Sequence, residues 1–145
     1  PDIASMTGMD KYMQTLAVNI GKCVGGLETM VYQMNLLYGC SLEEQADALL
    51  EMAQNSNSKE LMIELTAAYK SQDLDALWSV FKDQITRYEY DALVSERNKN
   101  WKKQIVELFP VQSSLFVVGS GHLPGEKGMI KLLKKAGYKV KPVKK

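Results

Sequence analysis

The sequence predicts an α+β or α/β fold, in which a helical middle region joins a small, mainly parallel sheet and a C-terminal βαβ unit within one domain spanning 1–145. Three observations predict it. Apolar residues recur every three to four positions from Met9 to Phe109, which is the spacing of helix faces. "SLFVV", from Ser114 to Val118, is a short apolar run rich in β-branched and aromatic residues, as befits a strand buried on both faces. A glycine loop, a helical stretch and the alternating "YKVKPV" then follow it within about 30 residues, the order and length of a βαβ crossover.

The elements follow in order. Met9, Met13, Leu16, Ala17 and Ile20 line one face of a first helix, and Gly21 is suited to end it. "KCVGG" reads as a short strand or turn. From Glu28 to Tyr38 the helical spacing returns through Met30, Met34, Leu37 and Tyr38, with Gly39 beyond the end. Ser41 and Glu44 have the spacing of a capping box, in which each side chain satisfies the other's free amide, so a helix to about Ala53 is expected. "NSNS" at 55–58 reads as a turn, followed by a helix over 59–70. Asp73 is placed to cap a further helix over 74–85. A long helix over 88–109 stops at Pro110. "SLFVV" and "YKVKPV" are expected as neighbouring parallel strands, joined by a helix over 126–136 that Gly137 closes.

Composition excludes several functions. The chain has 145 residues, with 18 Lys plus Arg against 17 Asp plus Glu, so no global field draws it to nucleic acid. No apolar run approaches the roughly 20 residues that span a bilayer. Cys23 and Cys40 are too far apart for a CxxC pair and do not define a disulfide framework. The chain begins at Pro1, which reads as a processed product or a piece of something longer; a signal peptide ahead of it would imply an extracytoplasmic location.

The single histidine, His122, lies in "GSGHLPGEKG", directly after the expected first strand of the crossover. Loops at that position are where open α/β sheets bind ligands. Gly119 and Gly121 are expected to let the backbone turn sharply beside a bound group, with Gly125 completing the loop. Two phosphate-binding readings fail. The dinucleotide fingerprint needs a third glycine where Pro124 stands, and a P-loop needs Lys and Ser or Thr directly after its last glycine, where Glu126 and Lys127 follow Gly125. On its own a lone histidine is more often a surface or satisfied core residue than a ligand.

"FVVGSGHLPGEKGMIKLLKKAGYKVKPV" resembles the C-terminal signature of the TraB/GumN family, which includes bacterial pheromone-shutdown proteins and is similar to the Tiki proteases. Gly119 to His122 fit its GxxH motif. "GLETMVYQMNLL" resembles the family's GLET…Q stretch and singles out Glu28, and "SERNKNW" resembles its RN element and singles out Arg97 and Asn98. Each residue also has an ordinary reading: Glu28 as an acid in a first helical turn, favoured by the helix dipole, and Arg97 and Asn98 on a solvated helix face.

The resemblance implies a metal-dependent peptidase acting on a peptide or protein substrate, with a divalent metal ion as cofactor. His122 and Glu28 would be ligands or acid/base groups, Glu126 a third ligand, and Arg97 and Asn98 would orient a substrate carbonyl or carboxylate. It also implies that these 145 residues correspond to the C-terminal half of the family pattern, since no second GxxH is present. A hydrolytic metal site commonly has three protein ligands, so further ligands would come from the other half. The sheet edge beside "SLFVV" would then be open and would pair two copies into a homodimer. The rival expectation is a module that captures a peptide or pheromone without cleaving it.

Overall fold

The computed structural model describes residues 7–54 and 58–143. Among the described residues eight α-helices succeed one another: α1 (Met9–Asn19), α2 (Met30–Tyr38), α3 (Leu42–Gln54), α4 (Ser58–Lys70), α5 (Leu74–Lys82), α6 (Arg87–Tyr90), α7 (Glu96–Leu108) and α8 (Met129–Lys135). A π-helical turn, Asp91–Ser95, joins α6 to α7, and a 3₁₀ turn, Ser120–His122, lies ahead of α8.

Local chemistry accounts for the boundaries. Thr29 caps α2 by accepting from the Tyr32 amide. The Ser41–Glu44 capping box forms as the spacing predicts, each side chain bonding the other's amide at 3.2 and 2.8 Å. Asp73 caps α5 by accepting from the amides of Asp75 and Ala76. A second capping box, Thr86 with Glu89, starts α6 and divides the long helix expected over 88–109 from α5. Most of "NSNS" lies outside the described residues.

The expected fold class is wrong. The described residues are helical and contain no strand and no sheet, so neither an α+β or α/β fold with a parallel sheet nor the C-terminal βαβ unit is present among them. "SLFVV" and "YKVKPV" lie outside any helix, but among the described residues they exchange no backbone hydrogen bond with each other. An extended segment becomes a strand only when a neighbour pairs with its amides and carbonyls. Exposure along the first segment nevertheless keeps a period of two, with Phe116 and Val118 packed on the core and Leu115 and Val117 facing out. With no sheet among the described residues, the open sheet edge expected to pair two copies is missing from them as well.

The core sits at the C-terminal end. Trp101 and Ile105 of α7 and Met129 of α8 are buried together, with Leu27, Phe116, Val118, Leu123 and Leu133 packed around them. None of the apolar side chains of α1, α2 or α3 is buried. Phe109 extends the core by edge contacts to Phe116 and Tyr138, with ring centroids 6.1 and 4.7 Å apart. The helix expected to start at Glu126 starts at Met129, because residues 125–128 form a turn closed by the Gly128 amide on the Gly125 carbonyl.

Candidate functional site

The π turn and α7 set the inward face of the site. Val94, Arg97, Asn98, Trp101 and Ile105 recur at three- and four-residue spacing, and all five are buried. Two polar residues therefore occupy an apolar register. Arg97 and Asn98 are 8% and 0% exposed, which overturns their reading as a solvated helix face. A π turn directly upstream adds one residue to the helical register, a distortion found frequently at functional sites.

The buried side chains of Arg97 and Asn98 have partners, whereas Ser95 Oγ in the π turn and Tyr90 Oη have none among the described residues. Arg97 donates to Glu28 through two parallel bonds, Nη2 to Oε1 at 2.6 Å and Nε to Oε2 at 3.1 Å, and its Nη1 donates to the Leu93 carbonyl. Trp101 Nε1 donates to the same Glu28 Oε2 at 3.1 Å. Glu28 stands ahead of α2 and its Thr29 cap, so it is not the first-turn acid that its ordinary reading made it. Gln104 Nε2 donates to the neighbouring Leu27 carbonyl at 2.8 Å and fixes that segment against α7.

Trp101 links this carboxylate to the histidine. The His122 ring lies 4.4 Å from the indole, centroid to centroid, and the Arg97 guanidinium lies 4.8 Å from the indole centroid. His122 Nδ1 is 2.8 Å from Asn98 Oδ1. Asn98 Nδ2 donates to the carbonyls of His122 and Lys127, at 3.1 and 2.9 Å. Lys127 in turn donates from Nζ to Asp91 in the π turn at 2.6 Å, so both ends of the histidine loop are tied to one helix. Burial lowers the His122 pKa to about 4, with the Arg97 charge acting in the same direction and Glu28 against it. The imidazole is therefore neutral near pH 7.

Not every residue singled out by the sequence converges here. Glu28, Arg97, Asn98 and His122 gather around Trp101, whereas Glu126 is exposed and paired with Lys131 and, at 3.4 Å, with Lys135. Gly119 and Gly121 have no positive φ, and a Cβ at either would make only ordinary contacts, at 3.7 Å with His122 and 3.9 Å with Phe81. The backbone does turn sharply there, in the 3₁₀ turn closed by the His122 amide on the Gly119 carbonyl, but in a conformation open to other residues as well. Glycine is instead required at Gly125, with φ +81° and Trp78 at 3.1 Å, and at Gly128, where a Cβ would fall 1.9 Å from the Pro124 carbonyl oxygen.

Trp101, Lys127 and Gly128 are the residues that sequence reasoning missed. Trp101 was legible in its spacing, since it lies one turn beyond Arg97 on the same face. No comparable signal marked the Lys127 carbonyl.

A neutral imidazole and a carboxylate are suitable donors for a divalent metal such as zinc. Among the described residues, however, no three His, Cys, Asp or Glu side chains come together to hold one. Both Glu28 oxygens already accept from Arg97 or Trp101. The residues present do not form a complete metal centre.

Beside the ion pair a cleft of about 250 Å³ opens between Leu27, Thr29, Tyr32, Asn100 and Trp101, with Glu28 and Arg97 in its wall. The sequence profile of the TraB/PrgY/gumN family matches residues 2–142. The chain belongs to the TraB/PrgY/gumN family. In this family member the match runs through all eight helices and is not confined to the histidine loop. Comparison with curated proteins and with solved structures returned no match.

Proposed function

We propose that the cluster around Trp101 is this chain's contribution to a site that hydrolyses peptide bonds. The observation that carries the reading is a buried ion pair and a neutral imidazole held on one indole. A group of perturbed and paired side chains next to a cleft marks a candidate active site.

His122 is the chain's residue suited to ligate a metal, because its ring is neutral at physiological pH; the same lowered pKa makes it a weak base. Glu28 and Arg97 are suited to hold a backbone amide or carboxylate of a peptide lying in the cleft. A divalent ion held by His122 would, if further ligands completed its centre, supply a water acidic enough to ionise near neutrality. The ligands that complete such a centre would come from outside the cluster.

The cleft also favours a second reading. Its walls, Tyr32, Leu27 and Thr29 beside a charged pair, would retain a peptide without any chemistry. Incubating short peptides with the protein and a divalent metal, and following both products and retained peptide by mass spectrometry, separates the two readings. Turnover that disappears in His122→Ala supports hydrolysis. Retention without products supports capture, and neither would remove both.

A further inference from the structure

We propose that Asn98 is a positioning residue that fixes His122 in the tautomer with its proton on Nδ1, so that the bare Nε2 is the nitrogen offered to a ligand or a reacting proton. The proposal deepens the hydrolytic reading in what it assigns to Nε2, but the tautomer itself follows from the hydrogen-bond network alone.

The amide of Asn98 can be oriented in only one way. Both of its nearest partners on one side, the carbonyls of His122 and Lys127, are acceptors. Only the –NH₂ group can face them, since a flipped amide would set its oxygen against two carbonyl oxygens in a fully buried position. Oδ1 must then face His122 Nδ1 at 2.8 Å. An amide oxygen is an acceptor only, so the ring nitrogen opposite it must carry the proton. The alternative tautomer would press two lone pairs together and leave both atoms unpaired, at the cost of a buried unsatisfied contact.

Asn98 thus holds one residue at two points, the ring and its own backbone carbonyl. Its third bond, to the Lys127 carbonyl, closes the loop that presents the ring. A hydrogen bond that fixes the tautomer of a histidine and leaves its other nitrogen free is how histidine ligands are commonly prepared. Asn98 is completely buried and its oxygen and nitrogen are spent inward, so it does not touch substrate. Its expected role in orienting a substrate carbonyl is replaced by this one.

His122 is the chain's single histidine, so its ring nitrogens can be read without ambiguity. In ¹⁵N-labelled protein at neutral pH, ring-proton correlation spectra should show a protonated Nδ1 and an unprotonated Nε2. A protonated Nε2, or two averaged nitrogens, would overturn the proposal. Asn98→Leu should release the ring into a tautomer mixture, and a folded Asn98→Leu that keeps the pure Nδ1–H form would overturn it too. If this variant fails to fold, the wild-type spectrum decides. A pure Nδ1–H spectrum in a protein that cleaves nothing would sink the hydrolytic reading and leave this assignment standing; a protonated Nε2 in an active protein would do the reverse.

Discussion

Arg97 and Glu28 lie 69 positions apart and are joined by two parallel hydrogen bonds, with side chains 9% and 15% exposed. This pair fixes the segment ahead of α2 on the inward face of α7. Breaking a buried pair from one side leaves a charge without its partner, at a cost of about 3–5 kcal/mol. Arg97→Met should therefore lower the unfolding free energy by about that amount. Glu28→Leu combined with Arg97→Met should cost clearly less than the two single changes added together, because no charge is then orphaned. Denaturant melts of the four proteins measure this, and strict additivity would mean that the pair is not coupled.

Trp101 can be dissected by size and by its N–H. Trp101→Phe keeps a ring under His122 but removes the donor to Glu28, and should cost about 1.5–3 kcal/mol, the range for a bond to a charged group. Trp101→Ala also empties the core and should cost about 3–5 kcal/mol. Equal losses in the two variants, read by thermal or urea melts, would show that the hydrogen bond contributes everything and the ring nothing.

The loop glycines should differ in tolerance, in an order opposite to the one the motif suggests. Gly128→Ala forces a methyl group into the Pro124 carbonyl and should disrupt the turn ahead of α8. Gly125→Ala meets both the positive φ and Trp78 and should cost about 1–3 kcal/mol. Gly121→Ala meets only ordinary contacts, so its effect should stay within about 0.5 kcal/mol. Melting temperatures of the three variants test the ranking.

Acid should weaken the fold through His122. Its pKa is about 4 in the folded chain against 6.5 for the free side chain, so between those values the unfolded chain holds more protons than the folded one. Stability then rises with pH: the contribution is whole above about 6.5 and is lost as pH falls towards 4. Burial is the main cause, with Arg97 reinforcing it and Glu28 partly opposing it. The stability difference between wild type and His122→Gln should shift against the wild type as pH falls through this window. A difference independent of pH would show that the ring titrates normally.

The sequence carried the helices well and the sheet not at all. Helix caps are local, so Ser41 with Glu44 and Asp73 could be read from a few neighbouring residues. A strand is not local: "SLFVV" has the composition and the alternating exposure of one, but its state depends on a partner that composition cannot supply. The four site residues were legible through the family resemblance, but their roles were not. Periodicity would have placed Arg97 and Asn98 inward with Trp101, had their polarity not suggested a solvated face. Glu126 lies apart from the group around Trp101, exposed and paired with Lys131 and Lys135 of α8.

His122, held on Trp101 beside the Glu28–Arg97 pair, is the proposed reactive group of this chain. A titration of the ¹⁵N-labelled protein with a divalent metal and a short peptide, followed at the His122 ring nitrogens, tests it most directly. Nε2 should shift in a saturable manner while Nδ1 keeps its proton, and Glu28→Gln should weaken the effect while Glu126→Gln leaves it unchanged. Ring nitrogens unmoved at saturating metal and peptide, or a response abolished by Glu126→Gln, would contradict it.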